Sequence, residues 1–179
     1  MRLFATFILS AMFFAASALP GSAQNASART PLGPAMIEAS QSENGIRLNI
    51  AVAGAEPQVF DGVGEALVPL RAGNRSGPIL VLDIDRDGID EIFVRTSVRE
   101  RGLLLVFRWD AASNGYAPVN FTEDTGAPKQ YLLVHLSQPV TVNGNVVEAN
   151  HDSNEGGRKR LRVFRYRWDG TGFAQSTDH

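Results

Sequence analysis

The sequence predicts an all-β fold of short antiparallel strands, and three observations lead to this prediction. Over residues 46–52, large apolar residues alternate with Arg47, Asn49 and Ala51, which gives a strand one buried face. Glycine-containing turns such as Asn44-Gly45 and Asn143-Gly144 separate short runs that are rich in β-branched and aromatic residues. Within residues 35–77, no window has an apolar repeat at helical spacing that is long enough to indicate a helix.

The composition is that of one ordinary globular domain. The chain has 179 residues, a formal net charge of −2 and no cysteine. A chain of this length can form one domain with its own core. The balanced charge does not indicate a nucleic-acid partner or a membrane surface. Without cysteine there is neither a disulfide framework nor a lipid-bearing cysteine, so stability must come from the core, helped by any bound metal.

Residues 1–23 have the pattern of a secretory signal peptide. Arg2 supplies a short positive start, residues 3–19 are almost wholly apolar, and small residues follow up to Ala23. Cleavage is expected after Ala23, although Ala18 and Ala28 also end plausible small-residue sites. A membrane anchor is the competing interpretation, but the apolar run is slightly short for a span. The sequence thus predicts a periplasmic or secreted protein with no membrane span after cleavage.

The mature chain is predicted to begin with a leader and an N-terminal β region. Residues 24–34 are small, polar and proline-containing, so a flexible leader is expected there. A single all-β domain is predicted over residues 35–179. Its N-terminal β region, residues 35–77, starts with a hairpin that turns at Asn44-Gly45 and continues in short strands.

Residues 78–121 are predicted to form a four-stranded meander around an acidic loop. The expected strands are residues 79–82, 91–96, 103–109 and 116–120. Residues 103–107 are apolar without alternation, which indicates a central strand that is covered on both faces.

A second, related unit is predicted over residues 130–175. The motif Arg108-Trp109-Asp110 recurs as Arg167-Trp168-Asp169, and each copy leads through a glycine to an aromatic residue. The two tryptophans are interpreted as core packing rather than as ligand-stacking residues. In the second unit a tight Asn-Gly turn stands where the first unit has its acidic loop, so one principal ion per chain is expected.

The acidic loop is the strongest functional signal in the sequence. It carries carboxylates at its first, third, fifth and ninth positions and a glycine, Gly88, at its sixth. Alternate side chains of such a loop converge on one centre, and the glycine permits the sharp turn that aims the next carbonyl inward. The predicted ligands of a calcium ion (Ca²⁺) are Asp83, Asp85, Asp87, the carbonyl of Ile89, and Glu91.

Two other interpretations of the loop compete with a calcium site. An EF-hand would need a bidentate glutamate at the twelfth position, where Val94 stands, and it would need flanking helices. An acidic hairpin turn with no bound ion remains the alternative. Against it, the four carboxylates would then be like charges crowded together without compensation.

The pattern Asp-x-Asp-x-Asp-Gly-x-x-Glu between two strands resembles the calcium loop of FG-GAP and VCBS repeats, as in integrin-type propeller blades. The resemblance covers residues 79–119. It implies the ligand set given above, with Asp90 and Arg86 pointing away from the ion. It also implies blade-like antiparallel sheets: two propeller-blade-like units plus the N-terminal hairpin region, which are too few for a closed propeller.

A second candidate site lies on a basic stretch near the C-terminus. Residues 151–160 are predicted to form a loop with a basic flank, and the candidate partner-binding residues there are His151, Asp152, Arg158 and Arg160. The alternative is a solvated strand edge whose charges protect it against sheet-to-sheet pairing.

The expected function is that of an exported, non-enzymatic, calcium-binding β-domain that acts as a protein-binding module. No histidine pair at zinc-ligand spacing, no nucleophile elbow and no phosphate-binding glycine loop is present in the sequence. The chain also resembles, more loosely, periplasmic immunity proteins against cell-wall-degrading toxins and lysozyme inhibitors, which implies inhibition of a peptidoglycan-cleaving enzyme. A surface adhesion or structural repeat fragment and an unrecognised hydrolase are the remaining alternatives.

Overall fold

The computed structural model describes residues 23–124, 126–155 and 158–176. The regular secondary structure of these residues consists of β-strands. The prediction of an all-β fold is confirmed: the described chain is 64% strand and contains no helix. No helix long and apolar enough to cross a membrane occurs in this part of the chain. The predicted signal peptide, except for Ala23, lies outside the described residues.

The strands follow one another closely along the chain. In order they are β1 Gln24–Thr30, β2 Gly33–Ser42, β3 Gly45–Val52, β4 Gln58–Phe60, β5 Ala66–Leu67, β6 Leu70–Ala72, β7 Arg75–Gly77, β8 Ile79–Leu82, β9 Glu91–Val98, β10 Arg101–Asp110, β11 Gly115–Pro118, β12 Asn120–Thr122, β13 Leu132–His135, β14 Thr141–Asn143, β15 Val146–Glu155, β16 Arg158–Trp168 and β17 Gly172–Ser176.

The strands form three sheets, and the described residues close neither a barrel nor a full propeller. The first sheet has the order β1-β2-β3-β4. The second has the order β11-β10-β9-β5, with β8 also paired to β9 and β13 to β10. The third has the order β12-β17-β16-β15-β14-β6-β7. The predicted meander β8 to β11 is therefore present, inside a larger six-stranded sheet.

The six-stranded sheet is the middle layer, because each of its faces packs against a different core. On one face, Ile92 and Val94 pack with the first sheet. On the other face, Phe93 and Leu104 pack with the third sheet. β9 is accordingly buried along almost its whole length. Covering on both faces explains why residues 103–107 show no alternation, as predicted.

The prediction of a flexible leader over residues 24–34 is wrong. β1 pairs with β2 along its whole length, from Gln24 opposite Ala39 to Thr30 opposite Gly33. Ala28 is buried in the core between the first two sheets, and Ala26 packs against that core. Small side chains on the inner face let the strand lie close to its neighbours, so a low apolar content did not prevent a strand here.

The predicted units share strands rather than standing side by side. β12 pairs in parallel with β17, and β13 of the second predicted unit pairs with β10 of the first. β6, from the N-terminal β region, pairs in parallel with β14. The predicted boundaries therefore do not separate the strands of one sheet from those of the next.

The repeated tryptophan motif has the same geometry in both copies. Trp109 lies opposite Tyr116 in the β10–β11 pair, and Trp168 lies opposite Phe173 in the β16–β17 pair. Both pairs meet edge to face, with ring centroids 5.8 Å and 5.3 Å apart. Packing of this kind is what the sequence predicted for the two tryptophans.

The predicted loop over residues 151–160 is also wrong in part, because most of these residues are in strands. β15 and β16 form one long antiparallel hairpin, paired from Val146 opposite Arg167 to Glu155 opposite Arg158. The many polar residues gave this segment the composition of a loop, but pairing of its backbone makes it a strand.

Candidate metal centre

The acidic loop joins two neighbouring antiparallel strands. β8 ends at Leu82, which pairs with Glu91 at the start of β9, so residues 83–90 must reverse the chain between them. Gly88 has a φ of 88° and Arg86 a φ of 64°, both in the left-handed region. Glycine occupies this region at no steric cost, and it allows the loop to curl around its own side chains.

Three aspartate side chains meet inside the curl. One carboxylate oxygen from each of Asp83, Asp85 and Asp87 lies within 4.8 Å of the other two. This cluster could hold a metal ion. The sequence analysis predicted these three residues as ligands, and the structure brings them together.

Glu91 completes the acidic group from the first position of β9. Its side chain is fully buried. Oε2 accepts a hydrogen bond of 3.1 Å from the backbone amide of Ile84, whereas Oε1 has no hydrogen-bond partner. The fourth predicted carboxylate is thus also held at the loop, with one oxygen already used and one free.

Three buried carboxylate oxygens of the loop lack a donor. They are Oδ1 of Asp83, Oδ1 of Asp85 and Oε1 of Glu91. A buried acceptor without a partner costs about 1 to 3 kcal/mol, and more when it is charged. A cation bound among these oxygens would supply the missing interaction. The carboxylates therefore fit a metal ion because their buried oxygens lack donors, which the composition of the loop alone does not reveal.

Electrostatics also raise the pKa of Glu91, to about 7. Burial is the main cause, because removing a carboxylate from water disfavours its charged form. Asp85 and Asp87 raise the pKa further as like charges, while the Ile84 amide and Arg108 act in the opposite direction.

Other oxygens of the cluster hold the loop backbone in place. Oδ2 of Asp83 accepts a hydrogen bond of 3.1 Å from the amide of Gly88, and Oδ1 of Asp87 accepts one of 2.8 Å from the amide of Ile89. Ile89 is half-buried. Its carbonyl as a ligand stays a prediction.

Asp90 belongs to a separate ion pair. Its carboxylate accepts hydrogen bonds from the Arg29 side chain at 2.7 Å and from the Arg29 amide at 2.7 Å. Arg29 also lies 3.3 Å from Oδ2 of Asp83. β1 therefore supplies a cation to one side of the loop, and Asp90 is turned toward that cation rather than toward the aspartate cluster.

Arg108 supplies the cation on the other side. Its Nη2 lies 3.2 Å from Oδ2 of Asp85 and 3.6 Å from Oδ2 of Asp87. Its Nε lies 3.8 Å from Oε1 of Glu91. Neither Arg108 nor Arg29 was predicted from the sequence as part of this site. A register argument could have found Arg108, because Phe107 pairs with Ile92, so the next residue of β10 comes beside Glu91.

The loop is open to solvent on its Asp83 side. A depression of about 550 Å³ lies there, and its lining includes Arg29, Arg75, Asp83 and Asp90. Of the four acidic residues predicted as ligands, Asp83 alone lines this depression.

Two of the four predicted partner-binding residues, His151 and Asp152, lie on opposite faces of the β15–β16 hairpin. His151 faces inward, where its ring contacts Phe164 and its Nε2 lies 3.2 Å from Oη of Tyr166. Burial lowers the pKa of His151. Asp152, its neighbour, is exposed and lies opposite Leu161.

The two arginines of this predicted site lie on the second strand of the hairpin. Arg160 is exposed and lies opposite Ser153, and Arg158 lies opposite Glu155 next to the hairpin turn. The side chain of Arg158 lies outside the described part of the chain.

The chain matches no family model, and it has no significant match among curated proteins or solved structures. The resemblance of the loop to FG-GAP and VCBS repeats therefore remains a prediction from its residues.

Proposed function

We propose that this chain binds a calcium ion in the loop between β8 and β9, through Asp83, Asp85, Asp87 and Glu91 and the carbonyl of Ile89. The observation that supports the proposal best is the set of three buried carboxylate oxygens without a hydrogen-bond donor, one each from Asp83, Asp85 and Glu91. A cation is the simplest partner for all three at once.

Calcium suits this donor set better than other common metals. The cluster offers oxygen atoms only, with no histidine or cysteine for zinc or copper. Calcium accepts several carboxylates and carbonyls in a flexible loop, whereas magnesium retains most of its water and demands a more regular octahedron.

The ion's role is structural in the first place. Its loop joins β8 to β9, and β9 is the strand buried between both cores. With a dissociation constant of about 0.1 mM and roughly 1 mM free calcium, binding would add about 1.4 kcal/mol to stability. That amount is significant beside the usual total of about 5 to 15 kcal/mol.

The domain as a whole is proposed to be an exported, non-enzymatic, protein-binding module. Residues 1–23 would direct export to the periplasm or the medium, and the acidic residues that a hydrolase would use are engaged by the ion. The partner is proposed to be a protein, because the depression beside the acidic loop is open to solvent, unlike the enclosed pocket that usually binds a small molecule.

A more specific form of this proposal is that the protein is an inhibitor or immunity protein against a peptidoglycan-cleaving enzyme. Within residues 23–176 as described, pairing with β14 ends at Glu148 and pairing with β17 begins at Arg165, so the far half of the β15–β16 hairpin extends past both of these strands. On this extension Leu161 and Val163 are 44% and 60% exposed. A projecting strand pair with apolar and basic residues has the shape needed to enter an acidic cleft.

Calcium binding is tested by titration calorimetry and thermal unfolding of the mature chain in excess calcium and in excess chelator. The wild type should melt higher in calcium, and Asp85→Asn should lose most of this increase. Asp152→Asn, which removes an exposed carboxylate on the β15–β16 hairpin, should keep it. Equal melting in calcium and chelator, with no heat of binding, would refute the proposal.

The inhibitor version is tested separately, by adding the purified chain to muramidases and amidases from a native periplasm and measuring cell-wall digestion. Leu161→Asp and Val163→Asp should abolish any inhibition without changing calcium binding. Val59→Asp is the matched control, since Val59 is 58% exposed on β4, outside the sheet that carries the hairpin.

A further inference from the structure

Arg108 lies beside the carboxylate cluster, with its Nε 3.8 Å from Oε1 of Glu91. It approaches the second oxygens of Asp85 and Asp87, Oδ2 in both cases, at 3.2 Å and 3.6 Å. The inner oxygen of Asp85, Oδ1, remains buried without a donor. A guanidinium and a metal ion could therefore be bound to the same carboxylate at the same time, through different oxygens.

The same guanidinium connects the loop to the third sheet. Its carbon atom Cζ lies 5.2 Å from the ring centroid of Trp168, at the end of β16. Its Nη1 donates a hydrogen bond of 3.2 Å to the carbonyl of Gly170 in the β16–β17 turn. Stacking and hydrogen bonding together fix Arg108 beside the loop, so it cannot move far away when a cation arrives.

Two opposite electrostatic effects follow from this fixed position. Without a metal ion, the positive charge of Arg108 offsets the repulsion among Asp85, Asp87 and Glu91, and it stabilises the loop. With a divalent ion in the cluster, the same charge faces another positive charge and repels it. Arg108 thus stabilises the ion-free state more than the ion-bound state, and linkage requires that it weakens ion binding.

We propose that Arg108, which lies outside the ligand set, lowers the calcium affinity of the loop through its charge. It acts as a built-in cation that keeps the loop folded without metal and lowers affinity for the divalent ion. This inference rests on the calcium binding proposed above. It implies that calcium is exchanged by a folded site, rather than needed to fold it.

The test compares calcium titration calorimetry of the wild type, Arg108→Gln and Arg108→Lys. Arg108→Gln removes the charge and should bind calcium about tenfold more tightly at low salt. Arg108→Lys keeps the charge, so its affinity should stay within about threefold of the wild type. Arg47→Gln removes an exposed arginine that pairs with Asp61 on the far side of the first sheet, and it should change nothing.

Repulsion between Arg108 and the bound ion also predicts how the calcium affinity depends on salt. The gain in affinity from Arg108→Gln should shrink in high salt, since screening weakens the repulsion that the wild type experiences. Thermal unfolding should give the complementary result. The melting temperature of Arg108→Gln should lie further below that of the wild type in chelator than in saturating calcium. If the variant unfolds completely in chelator, its affinity is measured by competition with a calcium-sensitive dye, starting from the calcium-loaded protein.

Each outcome separates this inference from the calcium site itself. No binding by the wild type would refute the calcium site. Wild-type binding with an Arg108→Gln affinity that is equal or lower would refute the role of Arg108 as a competing charge. A lower affinity for Arg108→Lys as well as Arg108→Gln would show that Arg108 orients Asp85 instead.

Discussion

The backbone amide of Ile84 and the side chain of Glu91 join the two ends of the acidic loop through one hydrogen bond of 3.1 Å. The bond engages Oε2 and leaves Oε1 buried beside the aspartate cluster without a donor. Glu91 is thus fully buried in a position where the protein provides too few hydrogen-bond donors to stabilise its negative charge. Its protonation and its metal binding must therefore compete.

The first prediction concerns the pH dependence of stability in chelator. Burial raises the pKa of Glu91 from 4.5 to about 7, so between these values the folded state binds a proton that the unfolded state has released. Stability from this group is fully present below about pH 4.5 and is lost as the pH rises through about 7. The total loss is about 3 kcal/mol, because the pKa differs by about 2.5 between the folded and unfolded states and each unit corresponds to about 1.4 kcal/mol.

The measurement is thermal unfolding at several pH values from 5 to 8. Glu91→Gln cannot ionise and should flatten the decline in chelator, whereas saturating calcium should abolish it in the wild type. The exposed residue Glu38 provides the matched control as Glu38→Gln. An unchanged slope in Glu91→Gln would show that another group causes the decline.

The second prediction concerns Arg95, which is 3% exposed on β9. Its side chain donates hydrogen bonds to four backbone carbonyls: Pro69 at 2.7 Å, Leu136 and Gln138 at 2.8 Å and His135 at 3.1 Å. Arg95→Met should cost about 3 kcal/mol or more of unfolding free energy, because it leaves these carbonyls without donors.

Urea denaturation measures this cost directly. Arg95→Lys should recover only a part of it, since one ammonium group cannot reproduce the planar fork of a guanidinium. Arg71→Met, at an exposed arginine of β6, is the control and should change stability by less than about 0.5 kcal/mol. A loss below about 1 kcal/mol in Arg95→Met would mean that water satisfies the carbonyls.

The acidic loop and the meander around it were predictable because their signals are local. The spacing of Asp83, Asp85 and Asp87, with Gly88 between them and Glu91, fits one short turn of chain. The strands on either side of this loop are short and apolar, so β8 to β11 could be predicted from the sequence pattern alone.

The parts of the site that sequence did not reveal depend on long-range pairing. Arg29 reaches Asp90 from a strand that looked like a leader, because the small residues of β1 carry no apolar pattern. Arg108 reaches Asp85 only through the register of β10 against β9. The strands that cross between units, β12 and β13, are short, and nothing in their composition specifies the partner strand.

The third prediction concerns His151 in the β15–β16 hairpin. Burial lowers the pKa of its imidazole below the ordinary 6.5, with a further decrease from Arg101 that Glu123 and Asp152 oppose. The folded state therefore resists protonation, and stability from this group is present above pH 6.5 and is lost as the pH falls below it.

Thermal unfolding in saturating calcium isolates this effect, because calcium suppresses the contribution of Glu91. The melting temperature of the wild type should fall as the pH decreases from 6.5 to 5, and His151→Gln should reduce this fall. His135→Gln, at a histidine of β13 whose Nδ1 lies 3.2 Å from the Ser137 hydroxyl, is the matched control and should retain it. If His151→Gln falls as steeply as the wild type, then carboxylates elsewhere control the acid limit.

The last prediction concerns Gly64, where the first and second sheets are tied together. Its carbonyl accepts a hydrogen bond of 2.7 Å from Ile46 in β3, and the next amide, of Glu65, donates one of 2.7 Å to Ser97 in β9. Gly64 has a φ of 125°, and a Cβ placed there would overlap the side chain of Thr96. These two bonds fix the backbone on the C-terminal side of Gly64, and the Val63 amide, which donates a hydrogen bond of 2.9 Å to the carbonyl of Ile46, fixes it on the other side.

Gly64→Ala should therefore cost about 3 kcal/mol or more, which combines backbone strain with overlap. Gly54→Ala tests the strain alone, because Gly54 has a φ of 77° but open space around it, and it should cost about 1 kcal/mol. Urea denaturation of both variants gives the difference. Equal costs would mean that Thr96 yields to the new methyl group, and the junction between the two sheets would then be softer than its two short hydrogen bonds indicate.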